Sequence, residues 1–335
     1  MRPDRVGTPT ATTAAGLRGP FPPSGRRALS LLARHAILVV LLIEVALFSA
    51  FVPRFLTVTN LLNTGRAVAV LGITAAGATI GLLSGALDLS VGSVMVLSGM
   101  VAALLLDYGL PMPAAVACCL AVGLGAGLTN GFVVTKLRIN PIVCTLGTMT
   151  IFRGMAILSF GPQGIRIDNP SYRIFAESVV GVPLPVILLV IVYLIFYVTL
   201  TQTRFGRYVY AVGRNPDASR AAAIPVDRLR ISYLAISGLM AAVAGLVLSS
   251  MGGAAVPTAA AGFELSVITA VILGGISLAG GIGTIQGTAI GVLIIGFLVN
   301  GMSLAGIRGH YQMLLQGLVL LLVVFIDARR TGGYK

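Results

Sequence analysis

The sequence predicts an all-α polytopic membrane protein of about ten transmembrane helices, with both termini in the cytoplasm and an inverted internal repeat. Three observations predict it. Of 335 residues, 57% are hydrophobic and 10% charged, too few charges to cover a soluble domain of this length. Apolar runs of about 18 residues or more recur, each long enough to cross a bilayer. The 42 glycines suit helices that must approach closely in lipid.

Residues 1–28, rich in Pro, Gly, Thr and Arg, read as a disordered cytosolic tail, leaving 29–335 as the membrane domain. The apolar run after the tail is too long for a signal-peptide core and lacks a small-residue cleavage site, so it stays as the first span. Spans are expected near 33–52, 66–84, 89–106, 113–134, 141–160, 184–201, 229–250, 265–280, 284–304 and 311–327. The break between the eighth and ninth, "SLAGGIGT", is weak because it is apolar but glycine-rich.

Charge orients these spans. Of 23 basic residues, 17 fall in the tail to Arg34, the loop with Lys136 and Arg138, the segment 201–231 and the C-terminal end. With ten spans all four lie on one side, the cytoplasmic one by the positive-inside rule. The net charge of +13 is thus topological, and nucleic acid is not an expected partner. Cys118, Cys119 and Cys144 have no ligand spacing, and His35 and His310 stand near span ends, so neither a metal nor a cofactor is expected.

The inverted repeat rests on an echo. "DLSVGSVMVLSG" from Asp88 and "ELSVITAVILGG" from Glu264 share an acid, Leu-Ser-Val, and a later Leu and Gly at matching places. Each precedes three glycines at four-residue steps: Gly123, Gly127 and Gly131, then Gly283, Gly287 and Gly291. Such spacing makes a packing face. Copies five spans apart run in opposite directions, a plan that transporters use to place a pathway between halves.

The stretch "YAVGRNPDASRAAAIPVDRLRI", Tyr210 to Ile231, holds four arginines and two aspartates between long apolar runs. Asn215 reads as an N-cap, Pro216 suits the first helical position and Asp217 complements the dipole. Ile224 before Pro225 ends the helix. A short capped helix with a flat alanine face is a surface made to fit another protein's groove.

That stretch resembles the coupling segment, here near 204–231, of the sugar-type permeases of ATP-binding-cassette importers: the ribose, xylose, arabinose and autoinducer family. "GALDLSVGSVMVLSGMVAA", "GLTNGFVVTKLRINPIVCTLGTMTIFRG", "TRFGRYVYAVGRN", "GFELSVITAVILGGISLAGGIGTIQGTAIGVLI" and "YQMLLQGLVLLLVVFID" agree, in order, from about residue 56 to residue 328. Branched-chain amino-acid permeases are more distant relatives. Ala223 departs from the family, which usually has Gly there, and is expected to stiffen the exit of the helix. The resemblance implies a permease domain that dimerises, with itself or a related chain, around a pathway for a monosaccharide or related small polyol. A cytoplasmic ATP-binding subunit drives it and an extracytoplasmic sugar-binding protein feeds it, in a bacterial plasma membrane. The chain has no GxxxxGK[ST] phosphate loop, its two lysines being Lys136 and Lys335, so ATP hydrolysis belongs to the partner and no catalytic residue is expected.

Asn215, Pro216, Asp217, Ala218, Arg220, Ala221 and Ala222 are the expected coupling residues. Asp88, Ser90, Asn130, Glu264, Ser266 and Asn300 are candidates for the substrate pathway, since polar groups inside a bilayer are functional suspects. Asp88 and Glu264 have a second reading, as caps at helix N-termini. Asn130 and Asn300 have one as hydrogen bonds between helices. Arg153 is expected to snorkel outward. Glu44, an isolated acid in the first span, keeps open a proton-coupled carrier with Glu44 or Asp88 as relay, though that reading leaves the capped helix unexplained. A membrane protein without transport would leave the repeat unexplained.

Overall fold

The computed structural model describes residues 23–331, with side chains over 36–329. Of the expected tail, residues 1–22 lie outside the described residues, as does the side chain of His35; helix begins at Pro23.

The helices are α1 (Pro23–Phe51), α2 (Val58–Leu83), α3 (Val91–Asp107), α4 (Met112–Lys136), α5 (Pro141–Phe160), α6 (Leu184–Gln202), α7 (Arg204–Arg214), α8 (Pro216–Ala221), α9 (Val226–Gly252), α10 (Phe263–Leu273), α11 (Ile285–Leu304) and α12 (Gly309–Thr331). Seven of them, α2, α4, α5, α6, α9, α11 and α12, are long and apolar enough to cross a membrane among the described residues. Ala36–Phe51 of α1, α3 and α10 are shorter apolar stretches. At 11 residues α10 is about 16 Å long, half of a hydrocarbon core. The expected eighth span, 265–280, therefore needs correcting: helix stops at Leu273, and Gly275, Gly280, Gly281 and Gly283 take positive φ in the segment that follows.

The core is organised around α2, whose residues from Val68 to Leu83 are all buried. It lies against α9, with Gly77 on Ser237 and Met240. Around this pair the contacts come in matching sets: α3 packs on α4, α5 and α9, while α10 packs on α11, α12 and α2. The stripe of α4 makes the tightest seam. Gly123 meets Gly238 and Ala242, Gly127 meets Leu234 and Ala235, and Gly131 meets Ile231, all on α9. Any side chain at these three positions would collide with backbone. The second stripe differs from the expectation. Gly287 and Gly291 of α11 face Gly274 and Ala270 at the end of α10, and Gly283 precedes α11, with φ 126°, outside the helix.

Two long connections meet on one face. The strands β1 (Ile165–Arg166) and β4 (Ala254–Ala255) pair antiparallel, joining the loop after α5 to the loop after α9. Two further short strands, β2 (Ser178–Val179) and β3 (Val182–Pro183), make a hairpin leading into α6. The Tyr172 hydroxyl and Ser249 Oγ share a hydrogen bond of 2.9 Å, and Ser250 Oγ donates to the Tyr172 carbonyl at 2.8 Å. This fixes the loop to the end of α9.

Candidate functional site

The capped helix forms where the sequence places it. Asn215 Oδ1 accepts from the backbone N–H groups of Asp217 and Ala218 at 3.0 and 2.9 Å, satisfying two donors of the first turn. The end is tighter than expected. Helix stops at Ala221, Ala222 is the C-cap, and Ala223 adopts φ 60°. Ile224 N–H donates to the Ser219 carbonyl and Ala223 N–H to the Arg220 carbonyl, both at 3.0 Å. That crossed pair is the helix stop in which glycine ordinarily occupies the left-handed position. Ala223 holds it with a side chain, at a backbone cost of about 1–2 kcal/mol. Ser219 turns inward, while Asp217, Ala218, Arg220, Ala221 and Ala222 stand exposed. Arg220 does not reach out alone: it pairs with Asp217 at 2.8 Å and with Asp227 at 3.7 Å.

Before it in the chain comes α7, within the segment that the sequence presents as a loop. Phe205, Val209 and Val212 recur at helical spacing and turn into the core, while Arg204, Arg207 and Arg214 face out. That periodicity was the available signal. Two side chains tie α7 to the irregular segment after α10: Tyr210 Oη donates to the Gly283 carbonyl at 3.1 Å, and Arg214 Nε to the Gly281 carbonyl at 3.3 Å. Burial raises the Tyr210 pKa, keeping the phenol protonated as donor. Gly281 N–H in turn donates to the Leu83 carbonyl at 2.8 Å, at the end of α2, and Gly213 of α7 lies so close to that carbonyl that no Cβ fits. Thus the end of α2 and the exit of α10 share a backbone hydrogen bond, and the side chains of α7, from which α8 continues, fasten it to the same knot.

The polar candidates fall into three places. Asp88, Ser90 and Asn130 meet at the start of α3. Asp88 Oδ1 accepts from Ser90 N–H at 2.9 Å and Ser90 Oγ at 2.6 Å, and Asn130 Nδ2 donates to Ser90 Oγ at 2.8 Å. All three residues are buried, and Asn130 Oδ1 lacks a hydrogen-bond partner. Glu264 lies in the first turn of α10, also buried, with Oε2 unpartnered. A Cβ on Gly92 would stand 2.7 Å from that oxygen, so the starts of α3 and α10 approach each other. The two acids are not structural equivalents: Asp88 precedes the N-cap Ser90, whereas Glu264 is already helical. The Arg153 guanidinium donates to the Ala260 carbonyl, at 3.3 Å, within the turn that leads to α10.

Ser266 and Asn300 share the third place, a cavity of about 360 Å³ that also includes Asn63, Thr64, Ser303 and Gln316. Asn300 and Asn60 exchange two hydrogen bonds of 2.9 Å, and Ser266 Oγ donates to Gln316 Oε1 at 2.8 Å. Its polar groups are neutral amides and hydroxyls, set among Leu71, Phe263, Ile295 and Val299. Glu44 lies apart, with both carboxylate oxygens enclosed and unpartnered. Among the described residues no cluster of His, Cys, Asp and Glu could hold a metal.

The comparisons with known proteins agree with this architecture. A family model described as "Branched-chain amino acid transport system / permease component" matches residues 60–324. The ribose import permease protein of Escherichia coli K12 is 38% identical over 304 residues, 88% of this chain and 93% of its own. The ribose import permease protein of Bacillus subtilis 168 is 39% identical over 295 residues, covering 87% of this chain and 92% of its own. The L-arabinose transport system permease protein of E. coli K12 is 38% identical over 304 residues, 89% and 93% of the two chains. No solved structure gives a significant match. With most of its length inside the family model and helices able to cross a membrane several times, the chain belongs to the permease-component family of the branched-chain amino acid transport systems, as a multi-pass membrane protein similar to the sugar-import permeases.

Proposed function

We propose that the chain is the membrane-spanning permease subunit of an ATP-binding-cassette importer for a monosaccharide or related small polyol, working in a bacterial plasma membrane. A separate cytoplasmic subunit hydrolyses ATP, an extracytoplasmic binding protein delivers the sugar, and the permease acts as a dimer. The observation that carries this reading is the exposed, capped α8 mounted on a knot that ties α2 to the exit of α10. A free-standing surface rigidly joined to both halves of the membrane domain is what an external motor requires. The names of the relatives, which import ribose, L-arabinose and autoinducer 2, support the substrate class, and the neutral amides and hydroxyls set among apolar side chains in the cavity at Ser266 and Asn300 are compatible with it. They support it over a proton-coupled carrier.

Ten crossings with both termini inside fit the seven long and three shorter apolar helices among the described residues and the matching contact sets around α2 and α9. In that arrangement α3 and α10 are short elements whose N-termini meet inside the bilayer, with irregular backbone enclosed by protein as the membrane demands. Asp88, Ser90 and Asn130 then act as the structural cap of α3, and Ser266 and Asn300 as the sugar-facing pair. The test is uptake of labelled ribose, arabinose and xylose by cells carrying the permease with its binding protein and ATPase. Uptake of one sugar that ceases when the ATPase is omitted is the expected result; uptake that persists without it and follows the proton gradient excludes this function.

A further inference from the structure

A second cavity, of about 720 Å³, opens where α4 ends, α5 begins and α9 begins. If α2, α11 and α12 correspond to α9, α4 and α5, this is the same corner of the repeat as the Ser266 and Asn300 cavity, turned upside down. Its chemistry is different. Arg138, Arg220 and Arg230 line it with Thr135, Asn140 and a single acid, Asp227. Asp217 and Asp227 already hold Arg220, whereas Arg138 and Arg230 join no ion pair among the described residues. Arg230 Nε and Thr135 Oγ1 are enclosed without hydrogen-bond partners, and Thr135 is 8% exposed. Asn140 and Pro141, at the N-terminus of the 20-residue α5, complete the lining, adding the positive end of a helix dipole. Arg138 sits at φ 55°, a conformation that costs a non-glycine residue energy and that the surrounding structure must hold in place. Two unpaired guanidinium groups, an idle hydroxyl and a helix N-terminus converge on one space, which is the chemistry of a phosphate site.

The rim decides the source of the phosphate. Leu137, Ile139, Ile142, Val143 and Leu146 are exposed beside the arginines, between 38% and 64%. They are the start of an apolar face that continues along α5 to Ile151. A free anion has no use for that face; two acyl chains do. We propose that this cavity binds the phosphodiester headgroup of an anionic phospholipid, with its chains along α5. The lipid bridges the α4–α5 loop to α9 beside α8. The leaflet, cytoplasmic, rests on the proposed orientation, but the binding does not, so its failure leaves the transport reading standing.

The full-length protein in detergent is titrated with dioleoyl phosphatidylglycerol or dioleoyl phosphatidylcholine and examined by native mass spectrometry and thermal melting; inorganic phosphate is a third arm. Preferential retention of phosphatidylglycerol is expected, falling about fivefold for each arginine lost in Arg138→Gln and Arg230→Gln. Arg308→Gln, at an exposed arginine outside the cavity, keeps the preference. Should Arg230→Gln, or its combination with Arg138→Gln, fail to fold, the exposed Arg138 still tests the site alone. Equal retention of both lipids by the wild type, or an undiminished preference in Arg138→Gln, overturns the proposal. So does phosphate that raises the melting temperature where phosphatidylglycerol does not, which makes the cavity a free-anion site. Loss of ATPase co-purification in Arg138→Gln with its lipid preference intact assigns the arginines to an acidic protein surface instead.

Discussion

Asp88 shows how one residue type supports two readings until its neighbours are known. Its Oδ1 takes both the N–H and the hydroxyl of Ser90, and an asparagine oxygen can do the same. Asp88→Asn is therefore expected to keep most uptake and a melting temperature near wild type. Asp88→Leu leaves Ser90 N–H unsatisfied in a buried place, costing about 1–3 kcal/mol, and is expected to lower the melting temperature and the yield of assembled importer. If Asp88→Asn assembles but transports nothing, the carboxylate belongs to the pathway. That Asp88 would sit at a helix start was legible from its place before an apolar run. That Asn130 would join it through Ser90 was not, since 40 residues separate that pair and local patterning is silent about tertiary partners.

At the scale of elements, the α4–α9 seam offers a built-in control. Gly127 has α9 backbone where its Cβ would go, while Gly125, two residues away, has nothing within 4 Å. Gly125→Ala is expected to be neutral or slightly stabilising, because alanine is the better helix former by about 1 kcal/mol. Gly127→Leu forces the helices apart and is expected to cost about 3 kcal/mol or more in this close-packed interior. Melting of the purified protein reads both, and equal melting temperatures would remove the seam from the account. The stripe was readable as a spacing, but its partner helix was not, nor was the exclusion of Gly283 from α11 by its backbone geometry. The same scale holds the coupling test. Ala222 is exposed at the end of α8, so Ala222→Trp spares the interior and alters only the surface. It is expected to abolish ATPase co-purification or to uncouple hydrolysis from uptake while the permease still inserts and dimerises. Wild-type co-purification and uptake in this variant would exclude α8 as the contact.

For the whole molecule, the charge asymmetry makes a directional claim. In a background lacking Cys118, Cys119 and Cys144, Glu177→Cys is expected to react with an impermeant thiol reagent from outside the plasma membrane and Arg220→Cys only after permeabilisation; the opposite pattern inverts the topology. The antiparallel pairing of β1 with β4 requires residues 165–166 and 254–255 to share a side, so cysteines at the accessible positions Arg166 and Ala254 must react from the same side. The fold class and the glycine face of α4 were legible because hydropathy and residue spacing are local signals. The premature end of α10 was not, because "GGISLAGGIGT" is apolar enough to pass as membrane helix while Gly275, Gly280, Gly281 and Gly283 take positive φ that a right-handed helix does not contain.

The hydrogen bond from Gly281 to the Leu83 carbonyl, with Tyr210 and Arg214 fastening α7 to the same strand of backbone, sets limits on modular engineering. A chimera that borrows only residues 204–225 from a related importer, to accept a foreign motor, inherits a mismatched seat. The graft unit is discontinuous: the donor's 81–87 and 274–284 must travel with it, three separated pieces of sequence that behave as one exchangeable part.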